Sequence, residues 1–164
     1  MILHLSRKLA DRLQCKLSFE RENVTQAGRI DSWSADLFSP PGHGSFGFIM
    51  HDASLFPILV PLRAKTNYEA FLGDLLQHIE CAYGNVGAEF DTANQTVLLT
   101  KRSNRSIIGS MNEAIWRLGF EATMAADMKR RIDWSKTVEY IGTMPFSAVK
   151  GHFPDKRFAE LVGG

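Results

Sequence analysis

Trp33-Ser34-Ala35-Asp36-Leu37-Phe38-Ser39-Pro40-Pro41-Gly42-His43-Gly44-Ser45-Phe46-Gly47-Phe48-Ile49-Met50 is the stretch whose reading decides the fold. Trp33, Ala35 and Leu37 alternate with Ser34 and Asp36, the period of a half-buried strand. The Pro40 to Gly44 run breaks that strand, and Phe46 to Met50 supplies its return partner. Gly42, Gly44 and Gly47, around His43 and Phe46, read as turn residues. His51-Asp52-Ala53-Ser54 makes the next turn and Phe56 to Leu62 a third strand, so an antiparallel meander is expected. Pro57 and Pro61 cannot donate ladder hydrogen bonds, which puts that third strand at an edge.

Upstream, Ile2, Leu3 and Leu5 form a short first strand, and Ser6 can cap a helix carrying Leu9 and Leu13 on one face. The polar run from Ser18 to Ser32 reads as a surface excursion. Downstream, Thr66-Asn67-Tyr68-Glu69 matches a capping box. Phe71, Leu72, Leu75, Leu76, Ile79 and Ala82 then recur at helical spacing up to a Gly84-Asn85 stop. Thr96 to Thr100 is a fourth strand of the meander, and a helix begins near Ser110. Further helices are expected over Ser135 to Ile141 and from Pro154, where proline suits the first helical position. The whole chain, residues 1 to 164, reads as a single α+β domain of two layers. It has a mainly antiparallel sheet of about four to five strands, with helices on one face.

The 164 residues, 45% hydrophobic and 23% charged, describe an ordinary globular chain and exclude the disordered and fibrous classes. The apolar runs around Phe46 to Met50 and Leu55 to Leu62 are too short to cross a membrane. Two cysteines, Cys15 and Cys81, outside any Cys-x-x-Cys spacing, fit a reducing cytoplasm and read as small buried hydrophobes. Residues 1 to 100 carry 8 Lys+Arg against 11 Asp+Glu, and residues 101 to 164 carry 11 against 7. This asymmetry permits an anionic partner for the C-terminal part, although a solvated basic face produces the same count.

The segment from Thr100 to Glu113 carries the most functional information. Ser110 and Glu113 match a second capping box, with Gly109 allowing a tight entry and Ile115, Trp116 and Leu118 supplying apolar contacts. That leaves Arg102, Asn104, Arg105 and Ser106, which place two fixed positive charges and short hydrogen-bonding groups just before a helix start. Helix amides and guanidinium forks together suit a phosphate or carboxylate. Arg102, Asn104, Arg105, Ser106 and Ser110 are therefore the candidate anion- or partner-binding residues.

No Walker-type phosphate loop, Gly-x-Gly-x-x-Gly, Gly-x-Ser-x-Gly elbow or His/Cys ligand spacing occurs, so no catalytic residue, metal or cofactor is assigned. Lys129-Arg130-Arg131 with Trp134, Lys150, His152, Lys156 and Arg157 offers a basic surface with a stacking aromatic for nucleic acid. The reading is a non-catalytic binding module for a protein or nucleic-acid partner, through the basic strand-to-helix loop. The alternative is a small enzyme acting on a phosphorylated or carboxylated molecule, with the arginines positioning the anion and His51 or His43 moving protons. A homodimer built on the edge at Phe56 to Leu62 is a third possibility.

Four blocks, Met1 to Leu9, Trp33-Ser34-Ala35, Phe56 to Lys65 and Asn104-Arg105-Ser106-Ile107-Ile108-Gly109-Ser110-Met111-Asn112, resemble an uncharacterised prokaryotic domain family of small stand-alone proteins. The resemblance spans roughly residues 1 to 120 and leaves the C-terminal 40 or so uncovered. It implies a bacterial or archaeal intracellular protein and transfers no mechanism.

Overall fold

The computed structural model describes residues 1–17, 32–146 and 153–163. The excursion expected from Ser18 to Ser32 lies, apart from Ser32 itself, outside the described residues. The elements run β1 (Ile2–Leu5), α1 (Arg7–Leu13), β2 (Ser32–Phe38), β3 (Ser45–His51), β4 (Pro57–Leu62), α2 (Tyr68–Asn85), β5 (Leu98–Lys101), α3 (Arg105–Asp127), α4 (Trp134–Gly142) and α5 (Pro154–Val162). This is an α+β fold around one five-stranded sheet of order β4-β3-β2-β1-β5.

The meander holds for β2, β3 and β4, which pair antiparallel, with Ala35 opposite Ile49 and Ile49 opposite Ile58. Gly42 and Gly44 turn the first hairpin at φ +78 and +79, where side chains are rarely tolerated. Gly47, in contrast, is a strand residue. A Cβ there would meet Phe71 Cε2 at 2.6 Å, so its glycine serves the close approach of α2.

The sheet is mixed, because β1 lies parallel to both β2 and β5. The strand expected as a fourth member of the meander instead occupies the far edge beside β1. At its far end α2 still lies beside β4, where Ala82, Asn85 and Val86 share a groove with Phe56 and Pro57, so residues 87 to 97 carry the chain across to the edge beside β1.

Helices cover both faces rather than one. Leu3, Leu5, Trp33, Ala35, Ile49 and Val60 pack under α1, α2 and α5, with Leu9, Phe71, Leu75 and Phe158 above them. On the opposite face Phe46, Phe48, Met50 and Leu59 pack against Ile107, Met111 and Leu118 of α3 and Ile141 of α4. Ser34 and Asp36, which alternation would place in water, are consequently buried.

Local capping explains the helix boundaries. Ser6 Oγ accepts from Leu9 N–H, as expected. At α2 the cap is Asn67, accepting from Ala70 N–H, while Thr66 Oγ1 accepts from Arg63 N–H instead. At α3 the cap is Asn104, accepting from the amides of Ser106 and Ile107. That helix therefore starts at Arg105, and Gly109, Ser110 and Glu113 lie within it rather than at its entry.

β4 is an edge strand, and its prolines have a definite side. His51 N–H donates to Phe56 C=O, so Phe56 faces β3. Alternation then turns Ile58, Val60 and Leu62 toward β3 and Pro57, Leu59 and Pro61 outward. Two of the three outward positions lack an N–H, which blunts the edge against another strand.

Candidate functional site

The strand-to-helix segment divides its candidate residues between the core and the surface. Arg102 N–H extends the ladder by donating to Leu5 C=O. Its side chain turns back over the sheet, with Nη2 2.9 Å from Asp36 Oδ2 and the two side chains 11% and 13% exposed. Nη1 also lies 3.3 Å from Met111 Sδ. This guanidinium thus ties the end of β5 to β2 and α3. Ser110 is buried and donates to Ser106 C=O. Asn104, Arg105 and Ser106 are exposed, and Arg105 has no ion pair among the described residues. Because Asn104 already holds two of the first amides of α3, the helix start has little left to offer an anion.

The two histidines of the enzymatic alternative sit elsewhere. His51 is fully buried, packed against Trp33 and Phe158, with Nδ1 2.8 Å from Ser54 Oγ. It belongs to the α5 side of the sheet, whereas the Arg102–Asp36 pair lies on the α3 side. His43 packs edge-on against Trp134. Trp134 itself is half-buried against Phe38 and Phe46, so it is core to the hairpin rather than a platform for bases. Lys129, Arg130 and Arg131 are exposed, Arg157 pairs with Glu160, and Lys150 and His152 lie outside the described residues.

α3 presents a feature that sequence reading misassigned. Its inward stripe is Ile107, Met111, Ala114, Leu118, Ala122 and Ala125. At about 100° per residue, Trp116 falls on the opposite side, together with Arg105, Asn112, Phe120 and Thr123. Trp116 is 69% and Phe120 52% exposed, and their rings stack with centroids 6.0 Å apart. The signal was present in the spacing, since Trp116 is two residues from both Ala114 and Leu118.

A polar cluster that no sequence motif indicates joins β1, β2, β5 and the β3–β4 turn. Ser32 Oγ donates to Asp52 Oδ2, His4 Nε2 lies 3.2 Å from Ser32 Oγ, and Thr100 Oγ1 lies against His4 Nδ1. With a neutral imidazole every link is satisfied when Thr100 donates to Nδ1, Nε2–H donates to Ser32, and Ser32 donates to Asp52. The serine proton is committed to the carboxylate rather than to the histidine, which is not the wiring of an activated nucleophile.

Burial, offset in part by the charge of Asp52, holds the His4 pKa below its ordinary value. A depressed folded-state pKa means that the unfolded chain takes up the proton first. The contribution is therefore complete above about pH 6.5 and is lost as pH falls through the folded value. Urea midpoints measured from pH 8 to pH 5 are expected to fall more steeply for wild type than for His4→Gln; parallel curves would remove His4 from the acid response.

Cys15 is half-buried and Cys81 exposed, both as free thiols, so the expectation of burial fails for Cys81. Among the described residues, no group of three or more His, Cys, Asp or Glu is placed to hold a metal ion, and no helix is long and apolar enough to cross a membrane.

No curated protein and no solved structure matches the chain significantly. A family match runs further than the sequence blocks at residues 1 to 120 imply, covering residues 2–157 and so most of the C-terminal part: the chain belongs to the family described as "Domain of unknown function (DUF6933)".

Proposed function

We propose that this protein is a non-catalytic binding module that docks a protein partner on the outer face of α3. The observation that carries the reading is the stacked, exposed Trp116–Phe120 pair. The core stripe of α3 is complete without these rings, so packing within the fold does not account for them. Tryptophan and arginine dominate the energetics of protein interfaces, and Arg105 stands three turns before Trp116 on the same face. Arg105 is the member of the original basic loop that supports this role, with Asn104 and Ser106 beside it. We place the protein in a reducing cytoplasm, which suits its two free thiols.

An enzyme acting on an anion draws less support, because Arg102 is engaged by Asp36 and neither His43 nor His51 joins the arginines. Pairing through the β4 edge is likewise less favoured, given Pro57 and Pro61.

The test is affinity capture from the native host with wild type, Trp116→Ser/Phe120→Ser and Arg105→Ala, before and after nuclease treatment. A nuclease-resistant partner retained by wild type and weakened about 30-fold or more by the double variant is the expected result. The double variant should retain wild-type stability to within about 0.5 kcal/mol, as exposed positions do. Nuclease-sensitive capture would transfer the surface to nucleic acid, and capture indifferent to Trp116 and Phe120 would overturn the proposal.

A further inference from the structure

Beside the blunted edge of β4, between α2 and α4, lies a groove of about 550 Å³ walled by Phe46, Phe56, Leu59, Val86, Trp134 and Val138. A volume of this size holds a small organic molecule. Among the described residues its charged lining consists of two carboxylates, Glu139 of α4 and Asp155 of α5, with no lysine or arginine, and the imidazole of His78, whose Nδ1 lies 2.7 Å from Asp74 C=O, stands on the α2 wall. Glu139 has no ion pair among the described residues, and Asp155 accepts only the amide of Lys156 there.

The backbone points independently to the same ligand chemistry. Pro57, Leu59 and Pro61 line the groove and face outward, offering three carbonyl acceptors and a single N–H donor, that of Leu59. An added peptide strand needs alternating donors and acceptors, so this edge matches it poorly. A molecule that brings donors and positive charge matches it well. Aromatic rings at Phe46, Phe56 and Trp134 complete the lining and suit the apolar body of such a molecule.

We infer that the groove along β4 binds a small amphipathic organic cation, an amine whose apolar body lies against Leu59, Val86 and Val138 and whose ammonium group is held by Glu139 and Asp155. This site is separate from the outer face of α3.

The probe is 4-phenylbutylamine, with 4-phenylbutanol and 4-phenylbutyrate as its uncharged and anionic counterparts, followed by amide chemical-shift titration of the full chain. The amine is expected to produce saturable shifts confined to β4, the C-terminal half of α2, α4 and the start of α5. It should bind about tenfold or more tightly than the alcohol, and the carboxylate should bind least. Glu139→Gln/Asp155→Asn should remove the amine's advantage over the alcohol. Trp116→Ser/Phe120→Ser should change nothing, which separates this site from the interface proposed above. Equal binding of all three probes, an amine preference that survives loss of both carboxylates, shifts elsewhere, or no saturable shift at millimolar amine would each overturn the inference.

Discussion

Asp36→Ala, with Arg102 left in place, is expected to lower the free energy of unfolding by about 3–5 kcal/mol, read as a fall in the urea midpoint. Both carboxylate oxygens of Asp36 are engaged, Oδ1 by the amide of Leu37 and Oδ2 by the Arg102 guanidinium. Removing the carboxylate strands a guanidinium that is 11% exposed, with the weakly accepting Met111 sulfur beside it. Most of the loss is thus the penalty of an uncompensated charge rather than the value of the pair. The double replacement Asp36→Leu/Arg102→Met tests that distinction, because it removes both charges and fills the space with apolar atoms. It should recover most of the stability, with a coupling of at least about 2 kcal/mol. Additive losses of about 1 kcal/mol for each single variant would mean that the pair is solvated and that Arg102 remains available to a ligand.

Phe158→Ala is expected to cost a comparable 3–5 kcal/mol. α5 has nine residues, too few for a stable isolated helix, and buries only Pro154 and Phe158. The Phe158 ring stacks on Phe56 at 4.5 Å and meets Tyr83, His51 and Trp33 edge-on at 5.3, 5.4 and 6.0 Å. It is the contact through which the helix joins the first core, so its truncation opens a cavity and weakens the docking together. Limited trypsin digestion should cut at Lys156 and Arg157 in the variant under conditions that spare wild type. Phe158→Leu should lose markedly less. A variant with a wild-type urea midpoint and protected Lys156 and Arg157 would show that α5 is held by something other than this ring.

The candidate site was legible only in part, and individual residues show why. The Thr100 to Glu113 segment has real polarity, but a sequence cannot show that Arg102 meets Asp36, since their pairing depends on β5 lying two strands from β2. Asn104 and Ser110 are both plausible caps, and the choice between them falls to the earlier residue because Ile107, Met111 and Ala114 extend the apolar face of α3 toward the sheet. His4, Ser32, Asp52 and Thr100 are spread over 97 positions, so no spacing announces them. The exposure of Trp116, by contrast, followed from helical periodicity and was obscured only by reading its hydrophobicity before its position.

What the sequence determined by itself was local: the strands β1 to β4 with their turns, the existence of the five helices among the described residues, the edge position of β4 and the α+β class. Alternation, helical spacing, proline and glycine act within a few residues and leave their mark in order along the chain. Tertiary structure decided the rest, namely the parallel placement of β5, the burial of Ser34 and Asp36 and the helical layers on both faces. Phe46-Gly47-Phe48-Ile49-Met50 had carried a hint of this, because an unbroken apolar strand is one covered on both sides. Which helix supplies each cover depends on crossovers long enough to reach the far edge, and that is settled by how the whole chain closes over its apolar surface.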